Sequence, residues 1–221
     1  MKALLFSLIA SGLAMAQVAA NANKGYTTTE GRARVAAMLL RSDRDHTQKP
    51  EELLRLLDLR PGMVVADIGA GAGYMLPFLS KAVGPEGRVV AEDIHDDFLE
   101  KAKEYAAQQG LGNVQFVKGT ERDPRLTPGS VDLALTLDAY HHYDYPAEML
   151  AGLHRGIRPG GRLVVVDFYR RSDAMPCGNA MEHIRADQPE VIQEIEAAGF
   201  RLLSRRDHLP SSQYVLIFER P

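Results

Sequence analysis

The chain of 221 residues predicts an α/β fold, a doubly wound and mostly parallel seven-stranded sheet closed by a C-terminal antiparallel hairpin. Three observations carry that expectation. Apolar runs alternate with segments of helical periodicity almost throughout, as a parallel sheet covered on both faces requires. The first run, Val64-Val65-Ala66-Asp67-Ile68, ends near a carboxylate and opens into Gly69-Ala70-Gly71-Ala72-Gly73, whose alternating glycines permit a sharp turn and the close approach of a ligand. The last two apolar runs are joined only by Asp207 to Gln213, too short for a crossover helix, so they pair as a hairpin at one edge.

Composition narrows the class. With 45% hydrophobic and 25% charged residues, the chain is a single globular domain able to bury a core rather than a disordered segment. A net charge of -3 without a long basic run gives no support for a nucleic-acid partner. The lone cysteine, Cys177, has no disulfide or metal-sharing cysteine partner and reads as a small loop residue.

The N-terminus has the layout of a secretory signal: Met1-Lys2, then an apolar region from Ala3 to Ala16 that ends in small residues. Cleavage fits after Ala16 or after Ala22. The apolar core, about 13 residues, is short of the roughly 20 that a spanning helix needs, so a retained anchor is the weaker alternative. The expectation is an exported, periplasmic protein without stable membrane insertion once the signal is removed, or a cytoplasmic one if translation starts further on. Residues 1–22 then form the signal peptide, 23–47 an N-terminal arm and helix, and 48–221 the sheet domain.

In chain order, Asn21 to Gly31 reads as a loose polar arm and Arg32 to Leu40 as a short helix. A charged turn covers Arg41 to His46, and Pro50 opens a helix carrying Leu53, Leu54, Leu56 and Leu57 until Pro61-Gly62 stops it. The glycine loop leads into a helix from Tyr74 to Val83, with Pro77 near its start, where a missing N–H is harmless. Strand two spans Arg88 to Asp93, and Asp96 and Asp97 are placed to cap the helix Phe98 to Gln109. Strands three and four are Asn113 to Val117 and Val131 to Leu137. A helix from Pro146 to Gly152 and the turn Arg158-Pro159-Gly160-Gly161 precede strand five, Arg162 to Phe168. A helix from Pro189 to Ala198 and strands Phe200 to Arg205 and Tyr214 to Phe218 complete the chain, with no internal repeat.

Three stretches carry a family resemblance: the acid and glycines of Asp67-Ile68-Gly69-Ala70-Gly71-Ala72-Gly73, the acid ending Val90-Ala91-Glu92-Asp93-Ile94, and Leu153-His154-Arg155-Gly156-Ile157-Arg158-Pro159-Gly160-Gly161-Arg162-Leu163. From about Gln48 to Pro221 the sequence resembles the class I S-adenosylmethionine-dependent methyltransferases of small-molecule type. The resemblance implies a Rossmann-like methyltransferase fold, S-adenosyl-L-methionine as cofactor, and methyl transfer to a small-molecule acceptor. It implies that Asp67 lies beneath the loop, that Gly69, Gly71 and Gly73 shape it around the methionine moiety, and that Asp93 accepts hydrogen bonds from both ribose hydroxyls beside Ile94. Thr120 and Glu121 would line the adenine, and Asp138, at the end of strand four, would adjoin the methyl group.

The acceptor end is read from Asp138-Ala139-Tyr140-His141-His142-Tyr143-Asp144-Tyr145-Pro146, a dense set of ionisable and aromatic groups where ligands bind in such sheets. His141 is the first candidate for a general base, with Asp138 beside it in the catalytic set; the other reading makes His141 a wall residue that only hydrogen-bonds. Tyr140, His142, His183 and Arg185 are the candidate acceptor contacts, Arg185 for an acidic group. Adjacent histidines on an extended chain point different ways, so no shared metal is expected. Asp43 to Pro50 is positioned to act as a lid, or else is a solvated turn.

Two functions compete: a small-molecule methyltransferase and a non-catalytic envelope ligand-binding protein on the same fold. A cofactor made in the cytoplasm and an export signal pull in different directions. A nicotinamide dehydrogenase fits less well, because its last glycine follows the second by three residues, whereas Gly73 follows Gly71 by two. The acceptor atom stays open among carbon, nitrogen, oxygen and arsenic.

Overall fold

The computed structural model describes residues 19–176 and 178–221. The expected signal as far as Ala16, most of its longer alternative to Ala22, and Cys177 lie outside the described residues. In order, a 3-10 turn (Asn23–Tyr26) precedes α1 (Thr29–Leu39), α2 (Arg44–Gln48), α3 (Pro50–Leu57), β1 (Val64–Ile68), α4 (Leu76–Val83), β2 (Arg88–Asp93), α5 (Asp96–Gln108), β3 (Val114–Lys118) and β4 (Val131–Leu137). A second 3-10 turn (Tyr140–His142) leads to α6 (Pro146–Gly156), β5 (Ile157–Phe168), α7 (Ala180–His183), α8 (Gln188–Ala197), β6 (Arg201–Leu209) and β7 (Gln213–Glu219).

The seven strands lie in the order β3-β2-β1-β4-β5-β7-β6. The first five are mutually parallel, while β7 runs antiparallel to both β5 and β6. The chain therefore leaves β1 toward β2 on one side and reaches β4 on the other, which opens a crevice at their carboxyl ends. Both faces are buried, as the alternation within β1 requires: Ala66 and Ile68 join the cluster under α6 and α8, while Val65 faces Leu53, Leu57 and Leu79 of the helices opposite. Each of these fully buried leucines contributes about 2 kcal/mol of burial. The same alternation directs Asp67 and Asp93 to one face of the crevice and Glu92 to the other.

Four local expectations change. The arm is ordered rather than loose: the Thr28 side chain caps α1 by accepting from Gly31 N–H, and the Arg32 guanidinium pairs with Asp97 at 2.7 Å while donating to the Tyr26 carbonyl. The charged turn is the short helix α2, ended by Lys49 in the left-handed region at φ 48°. Asp96 and Asp97 lie in the first turn of α5, whose N-cap is His95; Lys118 holds Asp96, and Asp97 accepts both from Arg32 and from Phe98 N–H at 3.1 Å. Helix α6 continues to Gly156 and β5 starts at Ile157, because pairing with Val131 draws the expected turn into the strand.

Candidate active site

A cavity of about 500 Å³ lies at the carboxyl ends of β1, β2 and β4. Its floor is the glycine loop, where Gly69 and Gly71 adopt φ +70° and +55°. A Cβ there would also stand 2.8 Å from the Ala139 Cβ or the Leu39 Cδ1, so backbone conformation and space both demand glycine. Gly71 N–H donates to Asp93 Oδ2 at 2.9 Å and His95 N–H to Asp93 Oδ1 at 2.8 Å, which ties the loop to the end of β2. Gly73, expected at the cofactor, faces α5 instead: a Cβ on it would press on Leu76 and Ala102. Its role is helix packing.

Six carboxyl side chains line the cavity, and four of them, Asp67, Glu92, Asp93 and Asp138, are desolvated there. Burial raises these four, Asp67 and Asp138 to about 7 and Asp93 to about 6, with Glu92 well above the usual carboxylate range. Arg44 pulls Asp67 and Asp138 back toward ionisation, and its Nη2 lies 3.6 Å from Asp138 Oδ2. Glu92 was not singled out from the sequence. It accepts from Gly69 N–H at 3.3 Å through Oε2, while its buried Oε1 has no protein partner among the described residues. A glutamate inside an apolar strand, just before the expected acid, was the available signal.

Of the segment Asp43 to Pro50, Arg44 reaches this cavity. Arg44 lies on its wall with the guanidinium 3.9 Å from the centre of the Tyr74 ring, and Tyr74 donates to Asp45 at 2.8 Å. A chain of amides locks α2 to the sheet: Gln48 donates to Gln213 at 2.9 Å, and Gln213 donates to Asp138 Oδ1 at 2.6 Å. The arm closes the other side through Asn23 and Tyr26. Burial, reinforced by Asp93 and Asp138, pushes the Tyr26 hydroxyl up to about 12, so it stays protonated.

Beyond β4, Asp138 takes φ +54° and turns the chain into the 3-10 turn. His142 lines the cavity, but His141 does not. The His141 ring is buried behind it, with Nδ1 2.7 Å from Asp167 Oδ1 and its backbone N–H on Asp167 Oδ2 at 2.9 Å. Burial lowers both imidazoles well below their ordinary range, so both are neutral near pH 7. The first-choice base is thus displaced from the cavity wall by its neighbour.

Tyr140 and Arg185 are also committed elsewhere. Tyr140 donates to Glu194 at 2.7 Å, and Arg185 grips the same carboxylate at 2.7 and 2.6 Å, a buried cluster that fastens α8 to the β4 end. His183 packs against both histidines, with ring centres 5.0 and 5.4 Å away. The expectation that His141 and His142 diverge fails because the 3-10 turn replaces extended chain, and their rings lie 4.1 Å apart. Asp67, Gly69, Gly71, Asp93, Ile94, Thr120, Glu121, Asp138 and His142 therefore meet at one cavity, while Gly73, Tyr140, His141, His183 and Arg185 stand outside its wall.

A glycine-floored cavity at the switch point, ringed by acids, defines a nucleoside-binding α/β protein. Residues 59–208 match the family described as a methyltransferase domain, and the chain belongs to it, among the class I S-adenosylmethionine-dependent methyltransferases. It is 38% identical over 112 residues to a nocamycin O-methyltransferase of Saccharothrix syringae, covering 50% of this chain and 40% of that protein. It is 32% identical over 111 residues to a ubiquinone/menaquinone biosynthesis C-methyltransferase of Marinomonas sp. (strain MWYL1), covering 50% and 44%. The chain spans between 32% and 49% of the length of such curated relatives. A solved S-adenosylmethionine-dependent methyltransferase from Aquifex aeolicus superimposes with a TM-score of 0.79 at 28% identity, covering 85% of this chain and 98% of that one.

The residues present fit the family's cofactor. S-adenosylmethionine carries a sulfonium and an ammonium against one carboxylate, and the cavity offers acids for net positive charge. Gly69 and Gly71 bring backbone to the cavity without side chains of their own, and Glu92 adds a further acid to its lining, with a buried Oε1 that has no protein partner among the described residues.

Proposed function

We propose that this protein transfers a methyl group from S-adenosylmethionine to a small-molecule acceptor bound beside the β4 end. The observation that carries the reading is the meeting of the glycine cradle, Asp93 and Asp138 in one cavity that reaches His142 and Tyr143. In this reading Asp93 holds the ribose hydroxyls, Ile94, Thr120 and Glu121 border the adenine, and Asp67 and Asp138 face the positive end of the cofactor. The cofactor supplies an activated methyl group. The chain's part is to hold the acceptor in line with the sulfonium and to exclude water, which Arg44, Tyr26 and Tyr74 support by roofing the cavity. His142, neutral and on the wall, is placed to contact the acceptor. The small-molecule relatives, an O-methyltransferase and a C-methyltransferase, support the acceptor class and leave its reacting atom open.

We further infer export. The signal-like N-terminus supports it, and the burial of Ala19 and Ala22 favours cleavage after Ala16 over cleavage after Ala22, which would remove packed residues. Sequencing the mature N-terminus from fractionated cells tests this; an intact Met1 removes it. The enzymatic reading is tested by calorimetry with S-adenosylmethionine, followed by label transfer from methyl-labelled cofactor into a metabolite extract. No detectable binding at millimolar cofactor would count against the enzymatic reading and favour the non-catalytic ligand-binding alternative, as would binding without transfer to any extract.

A further inference from the structure

We propose that His141, His142 and His183 form a site for a divalent transition-metal ion at the acceptor end of the cavity. We infer from it, resting on the methyl-transfer reading above, that the acceptor is an oxygen or sulfur nucleophile able to bind such an ion. The geometry begins with the chain path. Asp138 in the left-handed region turns β4 into a 3-10 turn, which brings two consecutive histidines ring to ring at 4.1 Å. Helix α7 then brings His183 from a loop more than forty residues further along the sequence. One ring nitrogen from each of the three lies within 4.8 Å of the others. Ligation at about 2.0–2.1 Å brings such nitrogens closer than this, a movement within reach of ring rotation.

The surroundings are those a metal-binding imidazole requires. His141 Nδ1 meets the Asp167 carboxylate at 2.7 Å, and His142 Nδ1 meets Asn23 Oδ1 at 2.8 Å. Each oxygen accepts a hydrogen bond from Nδ1–H, which leaves Nε2 with the lone pair and fixes the ring; on His142 the Tyr26 hydroxyl lies 3.4 Å from Nε2, a long hydrogen bond that an ion would displace. Asp167 is itself clamped by the backbone N–H groups of His141 and Phe168 at 2.9 and 2.8 Å, so the outer carboxylate is rigid.

Three imidazoles suit zinc, cobalt, nickel or copper and leave a further coordination position for a ligand. His142 is on the cavity wall, so that position adjoins the space shared by Asp138 and Tyr143. An acceptor hydroxyl or thiol coordinated there loses its proton to solvent more readily. Its lone pair forms the bond to the methyl carbon as the carbon–sulfur bond of the sulfonium breaks, and the positive charge on sulfur is cancelled as the neutral thioether leaves.

The test uses the mature protein stripped with a chelator and titrated with Co2+, followed by visible absorption, and with Zn2+, followed by calorimetry and metal analysis. The expected result is one ion per chain, with Zn2+ displacing Co2+. Affinity should fall at least about tenfold in Asp167→Asn and further in His183→Ala. Cofactor binding should survive in His183→Ala, whose side chain is off the cavity wall; His183→Gln replaces it if the alanine variant does not fold. Three imidazoles packed only as rings would give no stoichiometric ion, or binding indifferent to both His183 variants, and either result overturns the site. A protein that binds one ion but no S-adenosylmethionine keeps the metal site and loses the methyl-transfer reading; binding of cofactor without metal does the reverse.

Discussion

Cofactor affinity should depend on pH in a direction the buried acids dictate. Asp67 and Asp138 are held at about 7 by burial, and both face a cavity assigned to a cofactor of net positive charge. The bound cofactor favours their ionised forms, so binding below neutrality must expel protons. For one acid with pKa about 7, moving from about pH 8 to about pH 6 weakens binding about tenfold, or about 1.4 kcal/mol. Two acids acting together set an upper bound of about a hundredfold, with Asp93 adding its share below about pH 6. Calorimetry at several pH values, in buffers of different ionisation enthalpy, reads both the affinity and the protons released. Asp67→Asn should remove one of the two acids and flatten the profile. An affinity unchanged within about twofold over this range, with no proton release, would refute the reasoning. The same acids act oppositely on the stability of the free protein. Their folded values lie above their unfolded ones, so stability is greatest below about pH 4 on their account and is lost as pH rises through about 7.

Three substitutions separate other roles. Asp93→Ala removes an acceptor from Gly71 N–H and His95 N–H and, in the proposed reading, from the ribose, so cofactor affinity should fall by at least about 1 kcal/mol in calorimetry; an unchanged affinity in folded protein rejects that role. Gly71→Ala forces a side chain into φ +55° and against Leu39, and should cost about 1–3 kcal/mol in denaturant unfolding along with cofactor binding. Arg185→Ala leaves the Glu194 carboxylate and the Tyr140 hydroxyl without their cation and should destabilise by about 3 kcal/mol. With Arg185 committed to that cluster, the KM for an acidic acceptor should stay unchanged in the surviving folded fraction; a selective rise in KM would restore Arg185 to the acceptor site.

The architecture was legible in the sequence because its signals are local. Strand-length apolar runs, turn glycines and a short final link are set by backbone geometry, and they specified the sheet and hairpin that β1 to β7 form. The Asp67 to Gly73 loop and Asp93 were legible for the same reason, since a ligand that must approach the backbone leaves glycine and an acid at fixed spacing. Legibility failed where a residue's role depends on a distant partner. Gly73 looks like its neighbours in sequence, yet it packs on Ala102. Arg185 looks like an anion receptor, yet Glu194 of α8 holds it. His141 and His142 are indistinguishable in the chain, and only the 3-10 turn with Asp167 behind it sends one inward and leaves the other on the wall.

The sheet and the glycine cradle were fixed along the chain, because each follows from patterns of period and spacing, and the methyl donor was implied by the family resemblance that those motifs carry. The tertiary structure decided which ionisable groups meet. It alone roofs the cavity with Arg44 and Tyr26, raises four carboxyl groups by burying them together, and gathers three histidines into one cluster. Desolvation and proximity across the fold set those properties, and neither is a property of sequence spacing.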